Sequence, residues 1–343
     1  MEYRTMGSTG VSVSRLCLGT MTFGKETDER GAHAQLDAFV EAGGTFIDTA
    51  DVYNGGVSEE IIGRWLGQKD GRADEVVLAT KGRFPTGQHP NGVGLSRKHL
   101  TSALDASLRR LGVDTIDLYQ VHAFDPFTPL DEVLRFMDDA MRQGKIHYFG
   151  LSNFIGWQIA AISELAGASG MVHPVLLQPQ YNLLTRYIEL EIVPACEQYG
   201  IGLIPWSPLG GGWLTGKYSR EQAPTGATRL GEDPNRGMEN YADKQSDDKA
   251  WDILDVVRRV ADETGLTMAQ VALAWVADRP MVTAPILGNR TTEQLDEALK
   301  MADVHLDEAH TKALDEVSRP VLPDYPYGER GVGQRSRELS FGR

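Results

Sequence analysis

Eight short runs rich in β-branched and other apolar residues recur along the chain, each followed by a helix-length amphipathic segment, and this alternation constrains the fold most. The strand-like runs fall at residues 16–19, 45–48, 76–80, 116–121, 148–151, 175–178, 202–206 and 282–286. The helical segments between and after them cover 28–42, 58–66, 96–111, 129–143, 154–168, 189–199, 267–276 and 292–301. Eight βα units in one chain predict an α/β protein, a (β/α)8 TIM barrel. Such a barrel takes about 250 residues, and three segments accommodate the remainder. Residues 3–13 alternate around Gly7 to Gly10 like an N-terminal hairpin able to plug the barrel floor. Residues 208–248 form a Gly/Pro/Asp-rich stretch too long for a routine connection, a candidate lid in the loop after strand 7. The barrel domain is placed at 1–319, and a C-terminal tail at 320–343 carries Pro320, Pro323 and Pro326 and the basic residues Arg330, Arg335, Arg337 and Arg343, read as solvated surface.

Charge and cysteine content narrow the function. With 34 Lys+Arg against 48 Asp+Glu the formal net charge is −14, which argues against nucleic-acid and acidic-membrane partners. The two cysteines, Cys17 and Cys196, are too few for a disulfide framework and read as small buried residues. The first residues lack the apolar run of a signal peptide, and no stretch approaches the ~18 apolar residues of a membrane span. The expectation is a cytoplasmic protein acting on a small molecule.

In a (β/α)8 barrel the working residues stand at the C-terminal ends of the strands. Here the second strand ends in Asp48 with Tyr53 just beyond, the third in Lys81, and the fourth in His122. An ammonium near a phenol favours the phenolate and is expected to lower the Tyr53 pKa from about 10. Asp48 would hold Lys81, and His122 would orient or polarise a carbonyl oxygen. The set suits protonating an oxygen as negative charge develops on it. Neither a paired Ser or Cys nucleophile nor a metal-ligand spacing is evident.

Further motifs stand at the other strand ends: Leu18-Gly19-Thr20-Met21, Asp48-Thr49-Ala50-Asp51-Val52-Tyr53, Ala79-Thr80-Lys81, Gly150-Leu151-Ser152-Asn153-Phe154, Gln178-Pro179-Gln180-Tyr181-Asn182, Trp206-Ser207-Pro208-Leu209 and Leu287-Gly288-Asn289-Arg290-Thr291. Together with Asp117 to His122 they resemble the aldo-keto reductase superfamily nearly end to end. Within it the chain is similar to the longer-loop branch that includes bacterial reductases, potassium-channel beta subunits and deoxysugar ketoreductases. The resemblance implies an NADPH-dependent carbonyl reductase with Tyr53 as general acid, tuned by Lys81 and Asp48, and His122 positioning the carbonyl. It further implies that Gly19, Thr20, Met21 and Asp48 border the NADP(H) site, that Ser152, Asn153 and Gln178 bind the nicotinamide carboxamide, and that Trp206 stacks on its ring. Ser207, Pro208, Leu209 and Gly211 would line the pyrophosphate path; Gly288, Asn289, Arg290, Gln294 and Glu297 would surround the adenosine, with Arg290 on the 2′-phosphate. Ala298 departs from the pattern, since many members carry Asn there.

The carbonyl substrate is expected to meet Phe23, Tyr53, His122, Phe124 and Trp213, in a partly apolar pocket. Trp157 is expected to pack its own helix. Two other functions stay open from sequence: a ketoreductase acting on nucleotide-linked deoxysugars, and a nucleotide-binding redox-sensing regulatory subunit with little turnover. Self-association as a homo-oligomer is likewise left open.

Overall fold

The computed structural model describes residues 1–335 except 227 and 236; Arg337 and Arg343 of the basic tail lie outside the described residues. The chain opens with an antiparallel hairpin, β1 (Tyr3–Thr5) and β2 (Ser12–Ser14), in register Tyr3 opposite Ser14. Gly7 in its turn has φ of +57°, and a Cβ there would stand 2.1 Å from the Val175 carbonyl oxygen. Only glycine lets the turn press this closely against the base of a strand.

The barrel follows: β3 (Cys17–Gly19), α1 (Glu29–Glu41), β4 (Phe46–Asp48), α2 (Val57–Leu66), β5 (Val77–Gly82), α3 (Arg97–Leu111), β6 (Ile116–Val121), α4 (Leu130–Arg142), β7 (Ile146–Ser152), α5 (Gly156–Ser169), β8 (Leu176–Gln178), α6 (Ile192–Tyr199) and β9 (Gly202–Leu203). After β9 come two short helices, α7 (Arg229–Glu232) and α8 (Tyr241–Gln245), then α9 (Asp248–Thr264), α10 (Met268–Ala277), β10 (Ile286–Leu287), α11 (Thr292–Leu299), α12 (Glu308–Ser318) and α13 (Glu329–Arg335). Eight parallel strands run in the order β10-β3-β4-β5-β6-β7-β8-β9. Leu203 bridges Val282, and the Ile286 N–H donates to the Pro205 carbonyl at 2.8 Å, which closes the ring.

Alternate strand residues fill the barrel: Cys17, Phe46, Ala79, Leu118, Leu176, Ile204 and Ile286 form one buried cluster, with Met6 and Val13 of the hairpin joining it and Trp206 packed against it. The hairpin therefore plugs the barrel as its alternation predicts. The opposite strand faces and the helices form the larger core; α4, for instance, contributes Val133, Leu134, Phe136, Met137 and Ala140 at helical spacing. Side-chain caps fix helix starts: Asp28 accepts from the Gly31 N–H, and Thr267 and Gln270 form a reciprocal box before α10.

The last two strands are shorter than their apolar runs, and proline is the reason. Pro205 and Pro285 have no N–H for a ladder, so β9 stops at Leu203 and β10 begins at Ile286, with only single bonds linking the flanking residues. An element the sequence pattern left out, α12, is capped by Asp307 and packs on α9. Among the described residues no helix is long and apolar enough to cross a membrane.

Candidate active site

Strand register brings the polar strand ends together. Asp48 pairs with Gly19 on one side and Ala79 on the other, Lys81 stands opposite Gln120, and Ser152 opposite Gln178. The Lys81 ammonium donates to Asp48 Oδ2 at 2.6 Å, to the Thr49 carbonyl at 2.7 Å and to Tyr53 Oη at 3.2 Å. Asp48 Oδ1 accepts from Gln120 Nε2 at 2.9 Å and Gln178 Nε2 at 3.0 Å, so both carboxylate oxygens are bonded. Lys81 and Asp48 are almost wholly buried, which makes the pair a fixed charge centre beneath the phenol. The His122 ring stands edge-on to Tyr53 at 5.9 Å and to Phe84 at 4.6 Å.

Burial decides the protonation states. It pushes the Tyr53 phenol above its ordinary value, outweighing the Lys81 ammonium that draws it down. This corrects the expectation that the cation alone would set a lowered value: in the closed site the missing water counts for more. Burial also weakens the Lys81 charge, yet Asp48 and Tyr53 together hold its pKa above the ordinary lysine value. Burial, with Lys81 and Arg83 nearby, keeps His122 neutral, well below its ordinary value. Its Nδ1 is buried with no hydrogen-bond partner among the described residues. The site thus presents a protonated phenol, a cation behind it and a neutral imidazole beside it.

A second set of groups runs from this mouth across β7 to β10. Asn153 adopts a left-handed φ of 55°, a conformation Asn tolerates. Its Nδ2 donates to the His122 carbonyl and to Ser152 Oγ, each at 3.0 Å, while its Oδ1 accepts from Trp206 Nε1 at 3.1 Å. Ser152 Oγ donates to the Gln178 carbonyl. Beyond the half-exposed Trp206 the chain turns through Gly210, Gly211 and Gly212, all with positive φ, and the Lys217 ammonium would lie 2.6 Å from a Cβ at Gly212. The three glycine N–H groups donate within the turn itself, Gly210 to the Ser207 carbonyl, Gly211 to Ser207 Oγ and Gly212 to the Leu209 carbonyl, so Lys217 supplies the positive charge at this turn. After β10, Gly288 has open space where a Cβ would stand, the buried Asn289 Nδ2 has no hydrogen-bond partner among the described residues, and Arg290 Nη1 and Nη2 donate to carboxylates. The amide and hydroxyl groups of Ser152, Asn153 and Gln178, the Trp206 ring, the glycine turn with Lys217 and the Arg290 guanidinium are the kinds of group that a nicotinamide dinucleotide would need.

The remaining expected contacts sort by burial. Thr20 Oγ1 donates to the Asp48 carbonyl, and Gly19 is needed for packing, because a Cβ there would stand 2.5 Å from the Ile286 side chain. Met21 is exposed, Pro208 is buried and Leu209 half-buried. Gln294 Oε1 accepts from the Arg290 N–H and so shapes that turn, whereas the exposed Glu297 carboxylate pairs with Lys300. Two substrate expectations are corrected. Phe23 and Trp213 are fully buried; Phe23 belongs to the large core, and Trp213 stacks on Tyr241 at 5.6 Å, meets Tyr218 and Trp251 edge-on, and donates to the Glu239 carbonyl. Neither ring faces an open mouth. Phe124 is half-buried, edge-on to Phe154 and Trp157, each at 5.6 Å, and Trp157 is 57% exposed rather than packed under its helix. Lys217 and Phe84 carry no local signal in the sequence, whereas Gln120 stands inside the Asp117 to His122 motif as a polar residue within the apolar run 116–121, a usable sign of a role that the motif alone does not assign.

A (β/α)8 barrel whose strand ends carry a Lys–Asp–Tyr–His centre is the architecture of an oxidoreductase of carbonyl groups. The chain belongs to the aldo/keto reductase family, whose model matches residues 15–319. It is 38% identical over 328 residues to the uncharacterized oxidoreductase YrpG of Bacillus subtilis, covering 92% of this chain and 96% of that one. It is 37% identical to a probable voltage-gated potassium channel subunit beta of Oryza sativa, covering 89% of this chain and 92% of that one. It is 34% identical to the versiconal hemiacetal acetate reductase of Aspergillus parasiticus, covering 94% and 98% respectively. Family membership makes it an NAD(P)-dependent oxidoreductase acting on carbonyl groups.

Proposed function

We propose that the protein is an NADPH-dependent carbonyl reductase in which Tyr53 protonates the substrate oxygen. The observation that carries this is the Lys81 ammonium bonded at once to Asp48 and to Tyr53 Oη, with the His122 ring beside the phenol. When bound, the nicotinamide supplies the hydride. Ser152, Asn153 and Gln178 would hold its carboxamide and Trp206 its ring face, the Gly210–Gly212 turn with Lys217 the pyrophosphate, and Arg290 a 2′-phosphate.

The chain's own groups then manage the proton. Tyr53 Oη–H donates to the carbonyl oxygen, and its proton passes to that oxygen as the C=O bond becomes an alcohol. The neighbouring Lys81 stabilises the phenolate left behind, and Asp48 keeps Lys81 charged and in place. Neutral His122 donates a hydrogen bond to the same oxygen without competing for the proton. The phenolate is reprotonated from solvent before the next turnover. Phe84 and Phe124 make the mouth partly apolar, which favours aromatic or other apolar aldehydes and ketones over charged ones.

The test is Tyr53→Phe. The variant should bind NADPH as wild type does and lose reduction of an aromatic aldehyde by about a hundredfold or more, read from nicotinamide absorbance; unchanged turnover would refute the assignment. The similarity to a channel beta subunit gives the same assay a second use. Tight NADPH binding with negligible consumption across a carbonyl panel would favour a redox-sensing subunit.

A further inference from the structure

The groove's arginine fork is already engaged, and by a residue from the long loop after β9. Arg290 Nη1 and Nη2 donate to Glu232 Oε1 and Oε2, both at 2.9 Å, a two-pronged pairing across 58 residues of sequence. Nη2 also reaches Glu26 Oε1 at 3.4 Å. The Arg290 N–H is held by Gln294 Oε1 at 2.9 Å, so the backbone that presents the fork is itself fixed. Glu26 is mostly buried against the barrel side, whereas the Glu232 side chain is 45% exposed and sits on the four-residue helix α7. Parallel donation to two oxygens is also how a guanidinium grips a phosphate, so a carboxylate and a phosphate ask for the same donors.

We propose that Glu232 is a cofactor-selectivity residue: its carboxylate competes with the 2′-phosphate of NADPH for the Arg290 fork, lowering NADPH affinity and leaving NADH affinity unaltered. This rests on the reading that Arg290 receives the 2′-phosphate. A dinucleotide bearing that phosphate must displace Glu232 and place a dianion near two carboxylates, and the lost ion pair is subtracted from its binding. NADH carries only a ribose hydroxyl at this position and can leave the Glu232–Arg290 pair intact. Selectivity is then a difference between a gained phosphate contact and a lost carboxylate contact, with Glu232 opposing Arg290.

Binding without turnover tests it: NADPH and NADH titrated against tryptophan fluorescence at one ionic strength, for wild type, Glu232→Gln and Arg290→Gln. Glu232→Gln should tighten NADPH roughly two- to fivefold, the worth of a partly exposed ion pair, with NADH unchanged. Weaker NADPH binding in Glu232→Gln would overturn the proposal, because Glu232 would then be fastening the loop over bound cofactor. Equal tightening of both nucleotides would overturn it too, showing a general effect of the loop. Arg290→Gln separates the two levels: NADPH binding unchanged there would mean that the 2′-phosphate lies elsewhere, and the underlying reading fails before Glu232 is judged.

Discussion

The strand-end centre and the 208–248 loop solve the same problem, fixing polar groups around a groove, by opposite means. At the strand ends, Asp48, Lys81, Gln120 and Gln178 are each carried by the parallel ladder, and buried side-chain bonds join β4, β5, β6 and β8 across the barrel. In the loop no ladder is available. Glu239 instead accepts from Ser207 Oγ and Gln180 Nε2, Glu232 pairs with Arg290, and an aromatic plug of Trp213, Tyr218, Tyr241 and Trp251 holds the segment down. Chemistry that must be exact to a fraction of an ångström sits where the backbone already fixes position. The loop's polar groups sit where position depends on side chains alone, which suits the proposed role of admitting and releasing a cofactor.

If that contrast holds, the centre should be costly to break through charge and the loop through volume. Lys81→Met removes the only cation bonded to Asp48 among the described residues and leaves a buried carboxylate facing a thioether. The expected loss is about 4 kcal/mol, measured by urea unfolding at pH 7. A loss under about 1 kcal/mol would show that the site is wetter than its burial implies. Trp213→Ala comes next, at about 3 kcal/mol, because the ring is fully enclosed. It should also weaken NADPH binding, since the loop carrying Lys217 and Glu239 closes on that ring; full stability in the variant would show the plug to be dispensable.

The same contrast explains what the sequence made legible. Asp48, Tyr53, Lys81 and His122 were recognisable because each stands at the end of an apolar run, and in a barrel all run ends meet at one mouth. Trp213 misled for the converse reason: a tryptophan in a long polar loop looks like a binding residue until Tyr241 and Trp251, 28 and 38 positions later, fold onto it. Glu232 and Glu239 had no local signal, because their partners lie on other strand ends. The trimmed β9 and β10 were readable in principle from Pro205 and Pro285.

Asp51 lies between the two regimes: its N–H donates to the Lys81 carbonyl at 3.1 Å, yet its side chain stands outside the Lys81–Asp48–Tyr53 network. Both carboxylate oxygens are buried with no well-formed hydrogen bond among the described residues, and burial, reinforced by Glu59 and opposed by Arg110, Lys81 and the Val52 N–H, pushes its pKa up to about 7. With the folded pKa raised above the unfolded value of 3.8, the folded state binds the proton more tightly. Its contribution to stability is therefore greatest below about pH 4 and is lost as pH rises to 7. Asp51→Asn should abolish that slope: the variant gains about 4 kcal/mol over wild type at pH 8 and almost nothing at pH 4. Parallel stability curves for the two proteins would show that water or a counter-charge already satisfies Asp51.

The smallest effect tests the loop's charges. Arg220 pairs with Asp248 at 2.9 Å and lies 5.4 Å over the Trp251 ring, but the two side chains of the ion pair are 49% and 86% exposed. Water screens such a pair, and ordering two long side chains offsets much of its attraction. Arg220→Met keeps an apolar stem on the tryptophan and should cost less than about 1 kcal/mol, with the difference shrinking further at 1 M salt. A larger, salt-insensitive loss would mean that the guanidinium's contact with the Trp251 face, rather than the ion pair, anchors the plug, and the loop would then depend on a charge as the strand ends do.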